Sequence, residues 1–251
     1  MSRIRLNIKK IFFLVAVLLL VTGGAAIFWI LKGPQVLPEA RKALESCDDV
    51  IAEERDRWWE FASRQQQSDT ALILYPGARI NPQSYAPLAE DLAREGIKVY
   101  LVSMPLNLAI LDYSRAGEIT EVETGVERWY LAGHSMGGAM AGRYLNRSDV
   151  AAEDFEGLIL LASYVDGSDD LSDTDLRALS LYASRDGYIS SEDIAASRAL
   201  LPDHTEWVEI EGGNHSQYGF YEQQSRDLDP QISREKQQRV IVETLLEFIS
   251  P

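Results

Sequence analysis

The longest apolar stretch of the chain lies near its N-terminus. Residues 11–31 read IFFLVAVLLLVTGGAAIFWIL, 21 residues without a charge. A helix rises about 1.5 Å per residue, so this length is enough to cross a hydrocarbon core of about 30 Å. Because the stretch has no polar face, it does not match a helix that packs on a soluble core. The pattern therefore predicts a transmembrane helix over residues 11–31.

The charges around this stretch predict its orientation. Four basic residues and no acidic one lie within residues 1–10, and segments rich in Lys and Arg remain in the cytoplasm. We therefore expect a single-pass membrane protein with a cytoplasmic N-terminus and an extracytoplasmic domain. The alternative is a cleaved signal peptide, with the small residues 24–26 as its cleavage site. An uncleaved signal anchor is favoured, because the apolar residues 27–31 continue beyond that site.

Past this stretch, short apolar runs alternate with amphipathic ones. Residues 32–47 form a juxtamembrane segment with a short helix from Pro38, and two β-favouring stretches within residues 48–62 predict a hairpin. Further strands are expected at residues 71–75, 99–102, 128–132, 158–162, 178–183 and 207–210, and helices at residues 84–96, 135–145, 192–200 and 233–249. This alternation predicts a mostly parallel sheet covered on both faces, in one α/β domain over residues 48–251.

Charge narrows the partners that such a domain can have. The chain has 24 basic and 39 acidic residues, and residues 33–251 contain 19 of the basic and all of the acidic ones, a formal net charge of −20. Such a surface repels polyanions, so nucleic acid is a poor candidate partner. The one cysteine, Cys47, excludes an intrachain disulfide. No residues resemble a metal-ligand cluster, so we expect neither a metal nor an organic cofactor.

The strongest candidate for chemistry is the segment Gly133-His134-Ser135-Met136-Gly137, which fits the pattern Gly-x-Ser-x-Gly between a predicted strand and a predicted helix. In such a turn the serine hydroxyl stands clear of its own backbone, and Gly133 and Gly137 relieve the crowding. The N–H of Met136, at the start of the helix, can then stabilise a developing oxyanion. The pattern predicts Ser135 as a nucleophile, and a glycine-rich structural turn is the alternative.

A serine nucleophile needs a base, and the chain has three histidines. His134 lies within the turn itself, where its ring cannot reach round to the hydroxyl. His204 precedes the last predicted strand, at the wrong end for a site built where parallel strands end. His215 follows that strand in Gly212-Gly213-Asn214-His215, a loop that is free to bend towards the site. By elimination and by position, we expect His215 to be the base.

The base in turn needs an orienting carboxylate. Asp186 follows the predicted strand 178–183, and Asp166, after the preceding strand, is the alternative acid. The chain order nucleophile, acid, base agrees with one known arrangement of catalytic triads. The second oxyanion donor is expected to be the N–H of Ala78, because the preceding Gly77 allows close approach of the backbone.

These segments are similar to those of the compact bacterial α/β-hydrolase domains known as hydrolase family 5. The likeness covers roughly residues 48–250 and rests on the motifs Tyr75-Pro76-Gly77-Ala78, Met104-Pro105-Leu106-Asn107-Leu108-Ala109, Gly133 to Gly138, Gly212-Gly213-Asn214-His215 and Tyr218-Gly219. The resemblance implies the α/β-hydrolase fold, with Ser135, Asp186 and His215 in the triad roles. It also supports the predicted hairpin.

Other α/β hydrolases often carry a helical lid after the strand that ends here near residue 162. This chain has only residues 163–175 in that place, an acidic loop. We therefore expect an open site, which disfavours a lipase activated by lid movement. Residues 104–108 are expected either to line an apolar substrate groove or to pack in the core.

Together these features predict a membrane-anchored serine hydrolase that acts on a small-molecule ester. Ser135 attacks the carbonyl and forms an acyl-enzyme, His215 moves the proton, and Asp186 orients His215. A carboxylic ester hydrolase is the leading hypothesis, and a thioesterase or an amidase would use the same triad. The alternative from another class is a catalytically inactive hydrolase-fold binding module at the membrane surface.

Overall fold

The computed structural model describes residues 8–147 and 154–250. Two compact units make up the chain, of which the first ends at Gly33 and the second begins at Pro34. The sequence places the start of the domain later, at residue 48.

The described part of the first unit is one helix, α1 (Ile8–Leu31), which includes the predicted helix 11–31. Within α1, side chains are described for Lys10 and for residues 12–24. Among the described residues, no helix combines the length and the apolar character needed to cross a membrane, so the predicted transmembrane helix is not confirmed. Most of the predicted cytoplasmic N-terminus, residues 1–7, lies outside the described residues.

Within the described residues, the second unit is built on an eight-stranded sheet. Its strands are β1 (Val50–Glu54), β2 (Trp58–Ser63), β3 (Thr70–Tyr75), β4 (Lys98–Val102), β5 (Arg128–His134), β6 (Gly157–Leu161), β7 (Arg177–Ala183) and β8 (Glu206–Ile210). Their order across the sheet is β1-β2-β4-β3-β5-β6-β7-β8. The pairs β1–β2 and β2–β4 are antiparallel and the others are parallel. This topology confirms the predicted hairpin and the mostly parallel sheet of an α/β-hydrolase fold.

The helices of this unit, in the described chain, are α2 (Pro38–Ala43), α3 (Ala86–Arg94), α4 (Arg115–Val122), α5 (Met136–Leu145), α6 (Ser191–Ser197) and α7 (Arg234–Ile249). Helix α3 begins two residues later than predicted, because Pro82–Tyr85 forms a 3-10 turn capped by the side chain of Asn81. Helix α4 is absent from the prediction. Its only buried residues are Ala116 and Ile119, too few for a helical period to stand out from the sequence.

The core consists of two apolar layers on opposite faces of the sheet. Every residue of β3 is buried, and its side chains alternate between the layers as the strand pleat requires. Leu72 and Leu74 belong to the layer that contains residues of α3 and α7. Ala71 and Ile73 belong to the layer that contains residues of α4 and α5. A strand buried on both faces reads as a continuous apolar run, which is why β3 was predictable.

The segment before β1 packs against the domain, which explains why the second unit begins at Pro34. Val36 forms an isolated antiparallel bridge with Tyr221, and the N–H of Leu37 donates to the carbonyl oxygen of Phe220 at 2.9 Å. In α2, Ala40 and Ala43 are buried. Residues 34–47 therefore extend the domain beyond the predicted boundary.

The parallel strands bring the predicted site residues to one edge of the sheet. Strands β3 and β5 to β8 run in the same direction, so their carboxyl ends lie together. The segment predicted to hold the nucleophile follows β5, the acid loop follows β7 and the base loop follows β8. Residues 162–176, between β6 and β7, contain no helix, which agrees with the predicted loop in place of a lid.

Candidate active site

Ser135 occupies a strained backbone position at the junction of strand and helix. Strand β5 ends at His134 and α5 begins at Met136, with φ of 54° and ψ of −123° at Ser135 between them. Such a conformation costs a non-glycine residue about 1–3 kcal/mol and persists only where neighbouring contacts enforce it. The N–H of Ser135 donates to the carbonyl oxygen of Leu161 at 2.9 Å, and its carbonyl oxygen accepts from the Ser163 hydroxyl at 2.6 Å. These two bonds anchor the turn to β6 and the loop after it.

The predicted glycines are required by the close approach of backbone to backbone. A Cβ atom at Gly133 would lie 2.2 Å from the carbonyl carbon of Gly137, on the other side of the turn. One at Gly137 would lie 2.4 Å from the carbonyl oxygen of Tyr75, at the end of β3. Neither neighbour is a flexible side chain, so the backbone itself would have to move. The turn therefore has the shape that exposes a serine hydroxyl at the top of a strand.

His215 and Asp186, predicted as base and acid, are in direct contact. Nδ1 of His215 lies 2.8 Å from Oδ2 of Asp186, and their side chains are only 2% and 3% exposed. The other carboxylate oxygen of Asp186 accepts the N–H groups of Tyr188 and Ile189 at 2.7 and 2.9 Å. The carboxylate of Asp186 therefore accepts a hydrogen bond from Nδ1–H of His215, which leaves Nε2 as the acceptor that a general base needs.

The alternative residues lie elsewhere. The carboxylate of Asp166 accepts from the N–H and the hydroxyl of Ser168, lies 3.8 Å from Arg143 and is half exposed. His204 is exposed in the turn before β8. The structure thus pairs His215 with Asp186 rather than with Asp166.

The two predicted oxyanion donors are backbone N–H groups that stay available within the described residues. The N–H of Gly77 donates to the hydroxyl of Tyr85 at 3.0 Å, and that of Arg79 donates to the carbonyl oxygen of Asn107 at 2.7 Å. Between them, the N–H of Ala78 has no hydrogen-bond partner in the described part of the protein. Met136, the first residue of α5, likewise has an N–H without a described partner, as expected at a helix N-terminus.

His134 connects the serine turn to the loop of Ala78. Its ring is fully buried, and its Nδ1 lies 2.8 Å from the hydroxyl of Tyr85, the same hydroxyl that accepts from Gly77. Burial, and then the nearby His215, lower the pKa of His134 well below its ordinary value, so the ring is neutral. A Cβ atom at Gly77 would lie only 2.7 Å from Nδ1 of His134. The sequence excluded His134 as the base but gave no sign of Tyr85.

A second residue that the sequence missed is Asp227. Its carboxylate is buried and accepts N–H groups from the two loops that carry Asp186 and His215. The residue stands in a polar stretch outside the recognised motifs, so nothing in its local pattern separates it from the other acidic residues.

An apolar surface lies on the segment after β4. Leu106, Ile110 and Leu111 are 60%, 49% and 54% exposed, and we refer to these three side chains as the apolar surface. Leu106 and Asn107 both have positive φ, 53° and 55°, a conformation that a leucine rarely adopts. Of the predicted segment 104–108, Met104 is buried in the core and Leu106 is exposed.

Among the described residues, no group of three or more His, Cys, Asp and Glu side chains is placed to hold a metal ion.

Fold and site together define a hydrolase of the α/β class. Residues 71–239 match the family-5 model of the alpha/beta hydrolase family. The chain belongs to that family, which confirms the resemblance of its motifs.

Two solved structures show the same fold. Est1E from Butyrivibrio proteoclasticus aligns with a TM-score of 0.53 at 13% identity, over 81% of this chain and 100% of that one. DcsB, in a complex with its substrate analogue, aligns with a TM-score of 0.56 at 12% identity, over 80% of this chain and 98% of that one. No curated protein matches the sequence. At such low identity the two likenesses concern the fold alone.

Proposed function

We propose that the protein is a serine hydrolase that cleaves carboxylic esters through an acyl-enzyme on Ser135. The contact between His215 and Asp186 carries this proposal. At 2.8 Å and almost without solvent exposure, it forms the acid–base pair that activates a serine hydroxyl. A domain that only binds a partner has no need for such a pair beside a strained serine turn.

The proposed reaction uses each group at a defined step. Nε2 of His215 takes the proton of Ser135 while the serine oxygen attacks the ester carbonyl, and Asp186 stabilises the imidazolium that forms. The N–H groups of Met136 and Ala78 stabilise the oxyanion. The alcohol leaves with the proton from His215, and water then hydrolyses the acyl-enzyme with His215 again as base. Thioesters and amides fit the same sequence of steps.

The apolar surface favours esters with an apolar acyl group. Its segment is joined to the loop of Ala78 through the bond between the N–H of Arg79 and the carbonyl oxygen of Asn107. β4, which precedes the segment, lies beside β3, which precedes Ala78, so both loops leave the same edge of the sheet. Exposed leucine and isoleucine side chains gain free energy when an acyl chain covers them. The site has no lid helix in the described chain to cover them instead.

We also propose that the N-terminal segment attaches the enzyme to a membrane. The 21 uncharged residues 11–31 and the basic residues before them support a single pass with a cytoplasmic N-terminus. In this arrangement the hydrolase domain is extracytoplasmic.

The proposed chemistry is tested with the wild type beside Ser135→Ala and a control, Ser191→Ala, whose serine is exposed on α6. Each protein is treated with a fluorophosphonate probe and assayed on p-nitrophenyl esters of increasing acyl length. We expect labelling of the wild type and of Ser191→Ala only, and a fall in kcat of at least about 10⁴-fold in Ser135→Ala. A folded wild type that neither labels nor turns over any ester contradicts the proposal and favours a binding module.

A further inference from the structure

Residues 224–229, which we call the bridging segment, lie across both loops of the proposed acid–base pair. The carbonyl oxygen of Asp229 accepts from Nε of Arg185, which precedes the acid, at 3.2 Å. The carbonyl oxygen of Leu228 accepts from the side-chain amide of Asn214, which precedes the base, at 2.7 Å. The segment therefore contacts the acid loop and the base loop at the same time.

The side chain of Asp227, at the centre of the bridging segment, accepts four backbone N–H groups. Its Oδ1 accepts from Gly187 at 3.1 Å, from His215 at 3.2 Å and from Leu228 at 3.0 Å. Its Oδ2 accepts from Ser216 at 2.7 Å. A carboxylate has about four acceptor positions and no donor, so an ionised aspartate matches this set of donors.

These bonds tie together the two residues whose contact the mechanism needs. Gly187 is the neighbour of Asp186, while His215 and Ser216 belong to the base loop. Asp186 and His215 follow the paired strands β7 and β8, and before them the N–H of Arg185 donates to the carbonyl oxygen of Gly213 at 2.9 Å. Asp227 adds the bonds to Gly187 and Ser216, which come after the acid and after the base. Asp227 spans the two loops with hydrogen bonds to backbone, which transmit position more directly than contacts to side chains.

A second observation shows how closely the bridging segment fits the acid loop. A Cβ atom at Gly187 would lie 2.3 Å from the carbonyl oxygen of Arg226 and 2.7 Å from Cα of Asp227. Only glycine allows the two backbones to approach so closely. The pairing of the acid loop with residues 226–227 is thus built into the backbone and does not depend on the carboxylate alone.

We propose that Asp227 is a positioning residue, which holds the acid loop and the base loop in register so that Asp186 can orient His215. The inference rests on the proposed function. Asp227 does not act on the substrate; it acts through the geometry of the acid–base pair.

The first test is Asp227→Asn, assayed in the full-length protein. Asparagine has the same shape, but its amide nitrogen cannot accept, so at least one N–H group then faces another donor. Small misplacement of a catalytic group can lower the rate by about 100-fold. We expect kcat to fall by about 100-fold, with KM within about threefold of the wild-type value.

A double-mutant cycle separates positioning from a general loss of structure. If Asp227 acts through Asp186, then Asp227→Asn should lower kcat by less than about threefold in a protein that already carries Asp186→Asn. Equal effects in both backgrounds would overturn the proposal, as would a folded Asp227→Asn with kcat within threefold of the wild type.

The control is Asp169→Asn, which removes a buried carboxylate between β6 and β7 whose bond, at 3.0 Å, is to Arg143 of α5. It is expected to lower Tm while kcat stays within about twofold.

If Asp227→Asn fails to fold, Gly187→Ala replaces it, since the methyl group separates the same two backbones. A folded Gly187→Ala with wild-type kcat overturns the inference. If the folded wild type is not labelled by the fluorophosphonate, the proposed function is contradicted, and the inference that rests on it is contradicted as well.

Discussion

Gly137 illustrates how single residues determine the shape of the serine turn. Its missing side chain leaves room for the carbonyl oxygens of Tyr75 and Pro76, which would lie 2.4 and 2.6 Å from an added Cβ atom. Both oxygens belong to the backbone that leads to Ala78. Because Gly137 has no side chain, the serine turn can pack directly against the backbone of the proposed oxyanion loop.

Gly137→Ala is expected to lower the free energy of unfolding by about 1–3 kcal/mol, because overpacking moves backbone rather than a flexible side chain. The matched control is Gly167→Ala, where no described atom outside the neighbouring residues lies within 4 Å of the new Cβ, and where the change should stay within about 1 kcal/mol. Urea unfolding of both variants beside the wild type measures the difference. Equal stability of the two variants would show that the turn has more room than its distances indicate.

The buried ring of His134 should make the free energy of unfolding depend on pH. The folded protein holds the ring neutral, whereas the unfolded chain takes up a proton below the ordinary pKa of 6.5. The unfolded state then binds more protons, so the free energy of unfolding attributable to His134 falls by about 1.4 kcal/mol per pH unit below that value and is constant above it.

The measurement is urea unfolding between pH 5 and pH 8 for the wild type, His134→Gln and the control His204→Gln. Subtracting the stability of His134→Gln from that of the wild type at each pH cancels the contribution of the carboxylates, because both proteins contain them. We expect the stability advantage of the wild type over His134→Gln to shrink as the pH falls below 6.5, and His204→Gln controls for the loss of a histidine from an exposed turn. An advantage that is constant over this range would mean that His134 can become charged inside the fold.

The sequence predicts candidate catalytic residues from their immediate neighbours. Ser135 is framed by glycines, and Asp186 and His215 follow predicted strands in turn-like loops. Tyr85 and Asp227 could not be found in this way, because each has a decisive partner far along the chain. The hydroxyl of Tyr85 reaches His134, 49 positions away, and Asp227 reaches Gly187, 40 positions away. Only the packed fold brings such pairs together.

Among the helices and strands, the extent of burial determines which ones the hydrophobic pattern of the sequence can predict. Strand β6 is buried along its whole length, and its apolar run was recognised directly. Helix α4 buries only two residues, and residues 34–47 join the domain through a single bridge and a short helix. Elements with so little buried area have weak hydrophobic patterns, so their place in the domain emerges only from the structure.

The segment 104–111 carries a prediction about substrate preference. Leu111→Asn removes a half-exposed leucine from the apolar surface, and Val122→Asn, on α4 and 63% exposed, serves as the control. Partial burial of a leucine by an acyl chain is worth about 1 kcal/mol. We expect kcat/KM for the octanoate ester to fall about fivefold in Leu111→Asn, with the acetate ester and the control variant within about twofold. A uniform loss on both esters would place the acyl chain elsewhere.

The whole molecule combines two segments of opposite character. Residues 1–32 carry five basic residues and no acidic one, whereas residues 33–251 have a net charge of −20. An acidic domain gains nothing from electrostatic attraction to an anionic bilayer. We therefore expect attachment to depend on the apolar residues 11–31 and to persist at high salt, which screens the contribution of the basic residues.

Membrane attachment is tested by fractionating cells that produce the full chain, residues 34–251 alone, or the full chain with Val17→Lys and Leu20→Lys. A lysine near the centre of a membrane-spanning helix costs about 2.5–3.5 kcal/mol, so two of them should release the protein while the hydrolase domain stays unchanged. We expect the full chain in the membrane fraction at high salt, and the other two proteins in the soluble fraction with wild-type fluorophosphonate labelling.

Because every proposed catalytic residue lies beyond Pro34, labelling reports the fold of the domain independently of its location. A full chain that is soluble at its intact length would refute the anchor and leave the proposed chemistry intact, whereas a shortened soluble form would favour the cleaved signal peptide.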